Sequence, residues 1–160
     1  SKRSAALAVA YSLSEKALTE YKTAIVETLG EKKAKSVIEA VDDKLMQDSP
    51  VTKNEVIITE KGNTLCYDKL NDRYFKADMD SIKRAENQIN CQMLREGYVS
   101  LNDFYDEVGL KHTALGGSLG WKVDDGMIDI SFTTCLADDG TPCLVYRFSR
   151  EPGPGFDIYA

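Results

Sequence analysis

Apolar positions first recur along this chain at helical spacing. Leu7, Tyr11, Ser14, Leu18, Tyr21 and Ile25 follow steps of four and three, a heptad seam with Ser14 as its one polar member, within a helix predicted over residues 4–29. Two readings fit it: a dimerisation or stalk helix, or an amphipathic helix packed on its own domain. Gly30 interrupts the pattern as a cap. Residues 31–46 resume it, with Ala34, Ile38, Val41 and Leu45 on one stripe that Val37 widens. Asp48-Ser49-Pro50 ends the helical region, because the residue before proline disfavours the α conformation. Residues 1–48 thus read as a helical arm.

From Val51 the period shortens. Residues 55–59, 64–67 and 73–76 read as three strands of a small antiparallel meander, with Lys61-Gly62-Asn63 and residues 68–72 as its turns. Asp78 is placed to cap a helix over residues 79–96, whose apolar face is Met79, Ile82, Ala85, Ile89 and Met93. Gly97 stops it. Ser100 and Asp103 resemble a capping box that opens a short helix carrying Leu101, Phe104, Tyr105 and Val108, with Gly109 at its end. Residues 112–120 read as a glycine-bearing loop. Strands follow at 121–123, 127–136 and 143–148, separated by Asp124-Asp125-Gly126 and Asp138-Asp139-Gly140.

The last hairpin can be counted in register. A three-residue loop with Gly140 in the left-handed position sets Ala137 against Thr141, Leu136 against Pro142 and Cys135 against Cys143. Pro142 then occupies a non-hydrogen-bonded pair, where its missing N–H costs least. The two cysteines fall in a hydrogen-bonded pair, whose side chains are poorly aimed for a disulfide. Free thiols packed as small hydrophobes are favoured over a redox-sensitive clip.

The pattern therefore predicts an α+β fold. A helical arm leads into a body at residues 51–150, made of two small antiparallel sheet regions or one continuous sheet, packed by the helix at 79–96. Its expected core is Ile57, Leu65, Ile82, Ile89, Met93, Leu101, Phe104, Trp121, Ile128, Ile130, Phe132, Leu144 and Tyr146. Residues 151–160 form a tail whose Phe156, Ile158 and Tyr159 have two outcomes open, docking on the body or fraying.

Composition narrows the function classes. The chain has 160 residues, 42% hydrophobic and 29% charged, which suits one folded domain. A net charge of −6 opposes nonspecific attraction to nucleic acid or an anionic membrane, so no nucleic-acid partner is expected. Four cysteines without a CxxC pair, and one histidine, weaken the usual zinc frameworks. No apolar run reaches the roughly 18–20 residues needed to span a bilayer.

Candidate chemistry reduces to a few residues. Asp124, Asp125, Asp138 and Asp139 carry oxygen ligands for a hard cation, and would serve a small metal-assisted hydrolase; each pair also precedes a glycine, as a turn requires. His112 stands in a loop with no local carboxylate. Gly116-Gly117-Ser118-Leu119-Gly120 lacks the lysine of a phosphate loop, and its glycines suit a sharp turn into Trp121. Tyr67, Tyr74, Phe75 and Tyr98 suit cross-strand packing better than base stacking. No catalytic, cofactor-binding or metal-ligating residue is assigned, and no cofactor is expected.

Longer motifs carry a resemblance. They are Thr64-Leu-Cys-Tyr-Asp, Arg73-Tyr-Phe-Lys, Tyr98-Val-Ser-Leu-Asn-Asp-Phe-Tyr-Asp, Leu119-Gly-Trp-Lys-Val-Asp and Leu136-Ala-Asp-Asp-Gly-Thr-Pro-Cys-Leu. From about Ser4 to Phe148 the chain resembles the soluble C-terminal part of a family of phage- and prophage-encoded proteins from Gram-positive gut bacteria, a family with no assigned activity. The resemblance implies hydrophobic segments upstream, a soluble fragment here, and a full-length protein on the cytoplasmic side of its bacterial host's membrane. It carries over no catalytic residue. The expectation is a non-enzymatic accessory protein that contacts a protein partner, with a homo-oligomer through residues 7–29 and membrane contact only through segments absent from this chain. A virion or tail component is the structural alternative.

Overall fold

The computed structural model describes residues 30, 33 and 35–158 of the chain. The helix expected over residues 4–29 with its heptad seam, and the self-association expected through residues 7–29, lie outside them, as do Ala34 and Tyr159. A helix covers residues 35–48 (α1), and a 3₁₀ turn at Val51–Lys53 leads into β1 (Val56–Lys61), β2 (Leu65–Asp68) and β3 (Arg73–Ala77). Then come α2 (Met79–Glu96), β4 (Tyr98–Ser100), α3 (Leu101–Val108), α4 (Ala114–Ser118), β5 (Gly120–Lys122), β6 (Ile130–Leu136) and β7 (Pro142–Phe148). The fold class is α+β.

Of the two arrangements left open, the structure has one continuous five-stranded sheet, ordered β1-β3-β2-β7-β6 and mixed rather than antiparallel, and β4 pairs with β5 beside it. The first three strands are not a meander. β2 and β3 form an antiparallel hairpin, but β1 skips β2 and lies parallel to β3, with Val56 opposite Tyr74. That leaves the far edge of β2 free for β7, again in parallel, with Cys66 opposite Leu144. Strand pairing is decided by which edge is open and which face must be buried. Alternation within a strand encodes the face but not the neighbour.

Local signals set the helix ends. Asp78 accepts a hydrogen bond from Ser81 N at 2.7 Å, and Gly97 closes α2 in the left-handed conformation, its N–H reaching Met93 O. The Ser100–Asp103 capping box is complete, with Ser100 N donating to Asp103 Oδ2 and Asp103 N to Ser100 Oγ. The β6–β7 hairpin has the counted register, Leu136 against Pro142 and Cys135 against Cys143. Both cysteines are free, buried thiols.

The sheet is covered on both faces. On one, Ile82, Ala85, Ile89 and Met93 of α2 meet Leu101, Phe104, Tyr105 and Val108 of α3 and the inward residues of the strands. Of the expected core, Ile57 and Phe132 are only partly buried and the others fully so; Met79, expected on the α2 face, is exposed. On the other face Met46 and Leu45 of α1 and Val51 pack over Leu65, Tyr67, Tyr74, Cys135, Cys143 and Val145. Burying a side chain such as Met46 contributes about 1.5–3 kcal/mol. The α1 stripe is rotated from its expected position. Val41 is 53% exposed, and Asp42 and Met46 face the sheet instead. One residue is a rotation of about 100° on a helix, and Asp42 takes its buried place by pairing with two cations of the body.

The 112–120 segment is not an open loop. Thr113 caps α4, and Gly116 and Gly117 lie inside that helix. A Cβ at Gly116 would stand 2.1 Å from Asn102 Oδ1, a side-chain end that would have to shift. Gly120 is more constrained: a Cβ would meet the backbone oxygen of Val99 at 2.3 Å and the Phe156 ring at 2.6 Å. The tail docks at that point. Gly153 exchanges two backbone hydrogen bonds with Gly120, Trp121 Nε1 donates to Arg150 O at 2.6 Å, and Phe156 is buried beside Tyr98, whereas Ile158 is exposed.

Candidate functional site

The β2–β3 hairpin places Asp68 and Arg73 directly opposite each other. Asp68 is fully buried, because β2 is interior to the sheet and closed on both faces. Arg73 Nε donates to Asp68 Oδ2 at 2.9 Å. Asp68 Oδ1 accepts from Tyr146 Oη at 3.0 Å, Tyr105 Oη at 3.2 Å and Leu70 N at 3.2 Å. Asn71 Nδ2 donates to Tyr105 Oη, and the guanidinium of Arg73 lies 4.4 Å from the centre of the Tyr105 ring while its Nη1 donates to Lys111 O.

Electrostatics follows from that burial. Desolvation, then the Asp68 charge, pushes the Tyr105 and Tyr146 phenols well above their ordinary pKa, so both remain protonated donors. Burial works against the Arg73 charge, but Asp68 outweighs it by charge and hydrogen bond and holds the guanidinium's pKa above normal. The cluster ties together β2, β3, β7, α3 and the segment after α3. Apart from Arg73 Nη2, which is buried without a hydrogen-bond partner, its polar groups are engaged with one another, and the arrangement holds a fold together.

Two further carboxylates act in the same way. Asp42 of α1 is buried against Arg147 at 2.6 Å and Lys69 at 3.6 Å, and accepts from Thr133 Oγ1. Glu86 of α2 accepts from Ile130 N, while Lys83 Nζ donates to Ile130 O, so α2 blunts the outer edge of β6.

The residues singled out in the sequence do not converge. Asp138 accepts from Thr52 N and Oγ1, and Asp139 from Thr141 N; these bonds lower both carboxyl pKa values. Asp124 and Asp125 lie in a 3₁₀ turn near the opposite end of β6. Seven strand residues span about 20 Å, so the two acidic turns cannot share one ion. Among the described residues no three His, Cys, Asp or Glu side chains gather as a metal site. His112 does have a carboxylate: its Nε2 lies 2.6 Å from Asp106 Oδ1, on the surface, a partner that only the return of the chain over α3 supplies. Tyr67, Tyr74 and Phe75 are fully buried, and the Tyr67 ring packs across the hairpin against that of Tyr74, centroids 4.9 Å apart and planes tilted by 42°.

Burial, above all, pushes the thiols of Cys66, Cys135 and Cys143 up to about 12, while Cys91 is exposed on α2. Between α2, the end of β1 and α3 lies a polar groove of about 220 Å³, lined by Lys61, Ser81, Arg84, Ala85, Gln88 and Glu107. Sequence reasoning missed both the Asp68 cluster and this groove. The former had a signal, an acid and a base flanking a tight turn between two strands; the groove had none.

No helix among the described residues is long and apolar enough to cross a membrane. Neither the curated proteins nor the solved structures gave a match to the chain. Residues 1–157 match DUF6353, a family of unknown function, and the chain belongs to that family.

Proposed function

We propose that the chain is a non-enzymatic accessory protein whose α+β body presents a surface to another protein. The observation that carries this reading is an apolar knob at the end of the β6–β7 hairpin. Leu136 is 67% exposed, and its cross-strand partner Pro142 is exposed beside it. Leu136 and Pro142 form a small apolar pair at the end of the hairpin, and covering it in a protein contact would be favourable. The buried carboxylates support the reading, since Asp42, Asp68 and Glu86 each hold two or more elements together. A phage or prophage setting, a membrane tether upstream and self-association through residues 7–29 follow from the resemblance and the heptad seam.

The test is a photo-cross-linking amino acid at position 136 in the full-length protein, in its own cell. A discrete adduct with a second polypeptide is expected, weakened by Pro142→Asp. An adduct pattern identical to that of a control position on the exposed face of α2, such as Arg95, counts against the contact role.

A further inference from the structure

The groove beside α2 offers recognition chemistry of its own. Ser81, Arg84, Ala85 and Gln88 recur at helical spacing, so one face of α2 forms its wall, and Lys61 at the end of β1 and Glu107 of α3 complete the lining. A relay fixes the wall. Arg84 Nη2 donates to Ser81 Oγ at 3.2 Å, and Ser81 Oγ donates to Lys61 O at 2.7 Å. The guanidinium is thereby held at the groove with further N–H groups to offer. Asp78 also feels the Arg84 charge, but it stands outside the lining and is engaged by Ser81 N.

Size and charge select the occupant. A volume of about 220 Å³ falls below the roughly 300–1,000 Å³ of a small-molecule pocket, and suits a single side chain. The lining holds two cations, Lys61 and Arg84, against one carboxylate, so an anionic side chain suits it better than a cation, while Glu107, with Asp78 close by, would repel a phosphate dianion. Arg84 offers a planar fork for a carboxylate.

We propose that this groove seats one Asp or Glu side chain from an extended segment of the protein partner, its carboxylate between Lys61 and Arg84 and a backbone N–H of the segment on Glu107. The inference rests on the contact role proposed above and names the chemistry of the partner.

The test is a nitrogen-15 NMR titration of the 160-residue chain with two blocked peptides, acetyl-Ala-Ala-Glu-Ala-Ala-amide and its Gln counterpart. Saturable shifts at Ser81, Arg84, Gln88 and Glu107 are expected with the Glu peptide alone. Arg84→Gln should weaken binding about fivefold, the scale of one exposed charge pair, with the melting temperature unchanged. Equal responses to the two peptides, no response at millimolar peptide, or an undiminished response in Arg84→Gln would each overturn the proposal. Those outcomes leave the cross-linking at position 136 to decide the contact role. Failure of that cross-linking with a positive titration would instead keep the groove and remove the hairpin surface.

Discussion

Replacing Asp68 with asparagine perturbs the centre of the fold with little change of volume. The asparagine Oδ1 can still accept from Tyr146, Tyr105 and Leu70, which lie at 3.0–3.2 Å in the native protein. Its amide nitrogen, however, then faces Arg73 Nε, a donor against a donor, where a 2.9 Å ion pair stood. The Arg73 side chain is 14% exposed, so water cannot replace the lost carboxylate. Removing one member of a buried pair costs about 3–5 kcal/mol, a large part of the roughly 5–15 kcal/mol that stabilises a domain. At this chain length that is a fall in melting temperature of about 2–4 °C per kcal/mol. Urea unfolding followed by the fluorescence of the buried Trp121 measures it. The double variant Asp68→Asn with Arg73→Met removes the orphaned charge and should recover part of the loss. A cost under about 1 kcal/mol for Asp68→Asn, or a double variant as unstable as the sum of the two singles, would refute the claim that the pair acts as a buried unit.

Three other outcomes follow from the geometry. The Tyr105 and Tyr146 phenols have raised pKa values in the folded state, so their contribution is complete below the unfolded value of about 10 and is lost as pH rises toward the folded one; stability should fall steeply above pH ~10, with part of the tyrosinate absorbance appearing only on unfolding. Gly120→Ala forces Val99 O or Phe156 to move and should cost about 1–3 kcal/mol, read as a lower melting temperature and faster proteolysis after Phe148, while a wild-type profile would remove the tight contact between β5 and the tail. In thiol titration Cys91 should react at once and Cys66, Cys135 and Cys143 only on unfolding; pre-treatment with oxidant that removes two of the slow thiols would revive a Cys135–Cys143 clip.

The local elements of this protein were written in short stretches of sequence. Asp78 and Gly97 bound α2, Ser100 and Asp103 open α3, and Asp138-Asp139-Gly140 fixes the hairpin register, because each signal acts within a single turn of backbone. The apolar face of α2 was legible from its helical period, apart from Met79 and the buried Glu86. Tertiary structure alone decided that β1 joins β3 rather than β2, that β7 docks in parallel on β2, and that α1 turns Asp42 and Met46 to the sheet in place of Val41. Those choices depend on which strand edge and which cation are left unsatisfied when distant segments meet, and no periodicity within one segment encodes that. The same holds for Asp68: its neighbour Arg73 is local, but its burial needs β7 and α3 to close over it.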